Sequence, residues 1–447
     1  MKQIFKKIKF PRYLKGSYLP AILIASVLFI AFASALIGIA MANMKRAAYH
    51  EKIISSLEVA EAGVNYYMWH LSHANTDYCD GTTCISSPTF GPYVHDYKNF
   101  KGDVIGTYSL YITPPVQGEA VVKVKSVGKL TNAKSESTVV ADIGMPSFAR
   151  YSFVTNTECW FGSDETTNGP VHSNIGVHFD GVGNGIVSSS STTYKPTSPY
   201  GGDGQTHNGV WGSGGPTGFW VFPVPSVDFN RVSVDLNKLK TESQAGGIYL
   251  DKSNSLGYYL KLKTTNIEVY KVTKERTSGI TTSLLSTRDL PVNGIVYVND
   301  NVWVDGIYNN KITIAAESSQ GNQTAKISIK DNLLYSAKDG TASIGLISQG
   351  DIVVPSYSAN NLEIDAALLA QNGHVWFPNV KDAVKQNISI YGSIASNLDW
   401  TWTWVSGNTV TSGYRTTSQT YDPYLTLTPP PQFPTTGNYT VLNWREE

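Results

Sequence analysis

Hydrophobic and polar positions change their period twice along the chain. From Ser17 to Met44 there are 28 residues without a charge, more than the 20 or so needed to span a bilayer core. From Lys45 to Leu71 the apolar residues Ile53, Leu57, Ala60, Val64, Met68 and Leu71 recur at intervals of three and four, one face of an α-helix. Glu51, Glu58 and Glu61 lie off that stripe, and no proline intervenes between Pro20 and Pro88. The two segments therefore predict one helix of roughly 50 residues, apolar all round in its first half and amphipathic in its second. Pro20 sits where a first-turn proline forfeits no helical hydrogen bond. Gly38 either softens the helix or serves close packing.

Beyond the helix the period falls to two. "GTYSLYITPP", "GEAVVKVKSVGKL" and "SESTVVADIG" alternate as β-strands between turn residues and predict a small antiparallel sheet packed on the helix. After Pro146 short apolar triplets separated by Gly, Asn or Asp take over, as in "GIVYVNDNVWVDG", "AKISIKDNLLY", "SIGLISQGDIVV" and "NISIYGSIAS". Triplets returning every 15 to 25 residues or so indicate a parallel β-solenoid, in which each coil buries its Ile, Val and Leu against the next; a β-sandwich is the second choice. The expected fold class is α+β. Its units are 1–16, a basic leader; 17–75, the helix; 76–145, the small β domain; 146–398, the solenoid, with an inserted subdomain at about 188–287; and 399–447, an aromatic and Pro-rich cap or tail.

Charge sharpens the reading of the N-terminus. The chain of 447 residues balances 35 basic against 35 acidic residues, which argues against a nucleic-acid surface. The first 16 residues hold Lys2, Lys6, Lys7, Lys9, Arg12 and Lys15 and no acid, so the remainder has 29 basic against 35 acidic residues. Six positive charges before the apolar run, against Lys45 and Arg46 after it, predict a cytoplasmic N-terminus with the body outside. Cys79 and Cys84 in "CDGTTC" suit a small-loop disulfide in an oxidising compartment, with the Asp-Gly pair turning the chain. Cys159 is left over as a buried free thiol.

The junction "LKG" followed by "SYLPAILIASVLFIAF" resembles that of type IV prepilins and type II secretion pseudopilins. The phrase "SLEVAEAGVNYYMWHL" resembles the end of the first helix in minor pilins of the PilX N-terminal type. The resemblance implies cleavage after Gly16 by a prepilin peptidase, Ser17 as the mature N-terminus, residence in the cytoplasmic membrane, and assembly with other pilin or pseudopilin subunits. It fails at one residue. Major pilins carry Glu at the fifth position after the cut, where it meets the amine of a neighbouring subunit, and here that residue is Ala21. This departure implies a minor or tip role that displays the β-rich body for adhesion or assembly initiation; the alternative is an uncut, permanently membrane-anchored surface adhesin or carbohydrate-binding β-helix protein, and the third reading a polysaccharide-active β-helix enzyme.

Chemistry is sparse in the pattern. His172, His178 and Asp180 form the one local cluster of potential ligands, and on an extended strand the two histidines are about 20 Å apart. No nucleophile elbow, phosphate loop or zinc-protease motif is present, so no catalytic residue, metal or cofactor is expected. Asp351 and Asp365 are expected to solvate the outside of coils. Trp211, Phe219, Trp220, Trp303, Trp376, Phe377, Trp400, Trp402 and Trp404 offer faces for core packing or for stacking on surface glycans.

Overall fold

A computed structural model describes residues 18–447 apart from 75–76, 85–87, 116–120, 132, 134, 320–323, 408 and 437–438. Gly16 and Ser17 lie outside the described residues. A single helix, α1, runs from Leu19 to His73, about 80 Å at 1.5 Å per residue. Apart from Ala33, every residue from Tyr18 to Lys52 is exposed. That half is long and apolar enough to cross a membrane.

The second half of α1 is gripped by an antiparallel sheet. Strands β1 (Phe90–Lys98), β2 (Val104–Thr113), β3 (Val121–Leu130) and β4 (Glu136–Gly144) form a meander in sequence order. Its inward residues Leu110, Ile112, Val122, Val124, Val139, Ala141 and Ile143 close over Val59, Ala60, Val64, Tyr67 and Leu71 of the helix. The outward residues of β3 alternate Lys123, Lys125 and Lys129, the polar face expected of a sheet buried on one side. A fifth strand, Thr440–Glu446, adds to β4 with Ala141 opposite Trp444. The end of the chain thus returns to the domain at its beginning, a pairing that its Pro-rich approach did not announce.

Between β4 and that last strand lies a three-faced stack of short parallel strands. On the first face Ile248–Leu250, Ile295–Val298, Lys311–Ala316, Ser343–Ser348, the end of Asn361–Ala370 and the end of Val384–Ser396 pair in succession. Val384–Ser396 then pairs with Phe153–Thr155, which continues through Val171–Ser173 and Val187–Ser189 to Trp220–Val221. The chain therefore enters in the middle, builds coils in one direction, and crosses to the far end. There it builds a second series that rises to meet the first. Helix α2 (Val232–Gly246) makes that crossing.

This face is apolar on both sides, which explains runs such as "AALLA". Its inner residues join the central core, while Ala315, Ile347, Ala367, Leu369, Ala395 and Val154 point outward. They are covered by Val232, Leu236 and Leu239 of α2 together with Phe148, Phe229, Leu425 and Phe433. The stretch 188–287 contributes coils as well as two excursions. One is the short hairpin Thr193–Tyr194 with His207–Asn208. The other is the long hairpin Asn266–Arg276 with Gly279–Asp289, which packs Val272 on Tyr259 and Trp303. Residues 400–401 and 409–421 lie in the stack.

Two chain segments join sheet and stack side by side. Ser147 and Thr435 form an antiparallel bridge, the Phe148 N–H donates to Pro434 O at 3.0 Å, and the Thr436 N–H donates to Pro146 O at 2.7 Å.

Candidate functional site

The contact between α1 and the sheet is built from missing side chains. A Cβ on Gly128 of β3 would lie 2.3 Å from Ser56 O and 2.4 Å from the Ala60 nitrogen, and one on Gly63 would lie 2.3 Å from Ser126 Oγ. The Ala60-Glu61-Ala62-Gly63 phrase is thus the point of closest approach between helix and sheet. Of the expected stripe, Ala60, Val64 and Leu71 are buried, while Ile53, Leu57 and Met68 flank it half-buried. Ser56, Val59, Gly63 and Tyr67 are buried as well. Ser56 Oγ and Ser137 Oγ are 2.6 Å apart across this contact. In the apolar half, Pro20 occupies the first turn, Ala21 is exposed, and a Cβ on Gly38 would meet nothing within 4 Å.

Past the helix end, Cys79 and Cys84 are joined by a disulfide with Cα atoms 4.7 Å apart. Asp80 and Gly81 inside the loop both have positive φ, 55° and 70°, the conformation that Asp-Gly pairs adopt in tight turns. Asp77 accepts from the Cys79 N–H at 2.8 Å through Oδ1 and from the Gly81 N–H at 2.7 Å through Oδ2, and His70 Nε2 lies 3.2 Å from that same Oδ2. Asp80 is buried and 2.6 Å from His95 Nε2 on β1. Burial, reinforced by the Asp80 charge, pushes the Tyr66 hydroxyl up to about 12. The loop is thereby tied to both the helix and the sheet.

In the solenoid the two histidines part company. The turn at Asn174 to Gly176 puts His172 on the first face, buried, with Nδ1 3.0 Å from Ser188 Oγ and Nε2 3.0 Å from Asn174 Oδ1. Burial holds its pKa below the ordinary imidazole value. His178 lies on the second face, where Cys159–Phe161, Val177–Phe179 and Val210–Trp211 pair in parallel, 3.0 Å from Asp180. Among the described residues no group of three His, Cys, Asp or Glu could hold a metal ion. Cys159 is a buried free thiol whose pKa is pushed up by burial.

Asp365 departs from its expected solvated position. It is 2% exposed, 2.8 Å from Lys338 Nζ, and accepts from the Tyr335 N–H at 3.1 Å. Asp422 nearby accepts from the Tyr391 hydroxyl at 3.1 Å and the Tyr424 N–H at 3.0 Å. Burial raises both carboxylates. The cause of the difference is the loop carrying Lys338, which folds over this coil and supplies a charge partner. Asp351 accepts from the His374 N–H at 2.8 Å and is half-buried.

The aromatic residues sort by side of the strand. Trp303, Phe377 and Trp402 are buried, and Trp400 packs on Phe153 and Phe161. Trp303 donates to the Tyr357 hydroxyl beneath the long hairpin. Trp220 packs against the core, Phe219 is 44% exposed, and Trp211, Trp376 and Trp404 are outward and partly exposed. Trp160, 45% exposed, belongs with them. Its place between the buried Cys159 and Phe161 is the alternation that marks it as outward. Four rings stack on the second face. Trp160 to His178 is 5.3 Å with planes at 10°, His178 to Trp211 is 3.9 Å at 11°, and Trp211 to His207 is 3.6 Å at 10°.

No family model matches the chain, and no curated protein matches it. Among solved structures, the competence-associated pilin ComZ from Thermus thermophilus is 13% identical. Its alignment covers 89% of this chain and 97% of that one, at a TM-score of 0.28. The ice-binding protein LeIBP from an Arctic yeast is 10% identical over 61% of this chain and 90% of that one, at a TM-score of 0.20. Neither superposition is close enough to define the fold of this chain.

Proposed function

We propose that this chain is a structural, non-enzymatic minor pilin or pseudopilin, held in the cytoplasmic membrane by the first half of α1 and assembled at or near the tip of a filament. The observation that supports it is the division of labour within one uninterrupted helix. From Pro20 to Met44 the helix carries no charge and its side chains are exposed apart from Ala33, while buried residues from Ser56 to Leu71 lock the second half into the sheet. A plain anchor has no need for a rod that continues rigidly into the folded domain. A subunit that packs its helix lengthwise against others does, because helix-to-helix burial offsets extraction from the bilayer.

In this reading a prepilin peptidase cuts after Gly16, the new Ser17 amine faces the membrane, and the body of 146–447 is carried outside. Ala21 supplies no carboxylate for the amine of a neighbouring subunit. Such a subunit can begin a filament or enter it rarely, but lacks the pairing that drives repeated incorporation. Filaments sheared from cells test the assignment. The chain is expected in the sheared fraction at low stoichiometry and to be lost from it when the major subunit is deleted. Retention of all of it in the membrane fraction would identify a permanent anchor instead.

A further inference from the structure

We infer that the β1–β2 hairpin makes a second membrane contact, with its tip, Asn99 to Asp103, seated on anionic phospholipid headgroups beside the point where α1 leaves the bilayer. The inference rests on the reading that places the first half of α1 in the membrane. Strand β2 runs alongside the helix, so positions on one map onto the other. A Cβ on Gly106 would lie 3.3 Å from Val59 Cγ2, and one on Gly63 would lie 2.9 Å from the Tyr108 ring. Two strand residues thus keep pace with four helix residues, about 6 Å in each case. Toward the membrane, Val104 and Ile105 line one hollow with Lys52, and by the same pacing the turn at Gly102 comes level with Glu51. Met44, the end of the uncharged run, is then about 10 Å below the tip. From Leu19 to Met44 the helix measures about 39 Å, against a hydrocarbon core of about 30 Å. An apolar helix of that excess length tilts, and a tilt toward the hairpin brings its tip down to the headgroups.

The tip carries the chemistry of a headgroup contact. Phe100 at its apex is 94% exposed, and Lys101 Nζ sits 5.6 Å from the centre of its ring. Residues 45–52 of α1 and 98–103 of the hairpin together hold five basic side chains against two acidic ones, Glu51 and Asp103. Lys129 and Glu136, at the adjoining ends of β3 and β4, pair with each other at 2.8 Å and leave that excess intact. An anionic leaflet attracts such a cluster of basic residues, and aromatic rings settle at headgroup level beside it. The turn is also firmly built. Asn99 Oδ1 accepts from the Lys101 N–H at 2.9 Å and the Asp103 N–H at 3.0 Å, Asn99 Nδ2 donates to Asp103 Oδ2 at 3.2 Å, and Gly102 has a φ of 92°. The backbone that carries Phe100 is therefore set before lipid arrives, which lowers the ordering cost of contact. Withdrawing the ring from water is then a gain that the isolated subunit does not make.

Fluorescence quenching of the full chain in vesicles tests the inference. Cys79 and Cys84 are bridged and Cys159 is buried, so the variants Phe100→Cys, Met44→Cys and His73→Cys each take one nitrobenzoxadiazole label at the substituted position. The vesicles are phosphatidylcholine, alone or mixed equally with phosphatidylglycerol, and carry a doxyl quencher close to the headgroup. The label at position 44 reports the anchor and is expected to be quenched in both. The label at position 100 should be quenched in the phosphatidylglycerol vesicles. Contact there should fall about tenfold in phosphatidylcholine alone, and again when Lys98→Glu and Lys101→Glu are added together. The label at position 73, about 40 Å along α1 from Met44, should stay bright. Quenching at 44 without quenching at 100 would overturn the hairpin contact and leave the anchor standing, whereas no quenching at 44 would remove both. Quenching at 100 that ignores lipid charge and both lysine substitutions, or that position 73 shares, would also overturn the inference.

Discussion

Asn156 and Asn397, 241 residues apart, are hydrogen-bonded amide to amide at 2.8 Å, and Asn174 continues the ladder to Asn156 at 2.7 Å. This ladder crosses the seam where the two coil series meet, beside the in-register pair Phe153 and Ile394. Two stacks that share one hydrogen-bonded face should unfold together, unlike a solenoid of independent repeats.

Asn156→Ala removes two amide hydrogen bonds at the exposed edge of the seam, at a cost of about 1 kcal/mol. The expected outcome is one calorimetric transition, lowered by about 2 °C. Two separated transitions in the wild type would contradict a shared stack.

Gly128→Val places a branched side chain where even a Cβ meets Ser56 O and the Ala60 nitrogen at 2.3 and 2.4 Å. Overpacking of this kind costs about 1 to 3 kcal/mol, and here it acts on the docking of the sheet against α1. Limited proteolysis should cut the variant between 74 and 90 much faster than the wild type. Equal cleavage rates would show that the glycine is not what sets the close approach.

The Cys79–Cys84 disulfide closes a loop of few residues, so its removal by a double Ser substitution should cost about 2 kcal/mol in the chain-entropy account. Mass spectrometry without reduction should find the linked peptide. Labelling of both thiols in the native protein would refute the bond.

His172 provides a pH dependence with a definite sign. Burial depresses its folded pKa below an unfolded value near 6.5. Stability is therefore complete above that value and is lost as pH falls from there through the folded pKa, because only the unfolded chain takes up the proton readily. Denaturant midpoints measured between about pH 7 and pH 5 should fall more in the wild type than in His172→Gln. Parallel curves would assign the acid sensitivity to other groups.

How far the sequence discloses this structure depends on the range of the contacts. The period-3.6 stripe of α1 and the period-2 runs of β2 to β4 are local and legible, as is the repeating triplet texture of the solenoid. The seam is not, because Phe153–Thr155 is three residues long and its partner Ile394 lies on the far side of the whole body. Nor is the pairing of Val139–Gly144 with Thr440–Glu446, which depends on the two-segment link at Ser147 and Thr435. The burial of Asp365 is hidden for the same reason: its strand pattern is local, but its partner Lys338 comes from another coil. Trp160 shows the converse, since the Cys-Trp-Phe alternation already marked it as outward.

The measurement that bears most directly on the central proposal is the N-terminal sequence of the protein extracted from membranes of cells carrying the native chain, set beside a Gly16→Ala variant. The assembly account predicts Ser17 as the first residue of the native protein and an intact leader in the variant. A native chain that still begins at Met1, or a variant processed as efficiently as the native, would contradict it.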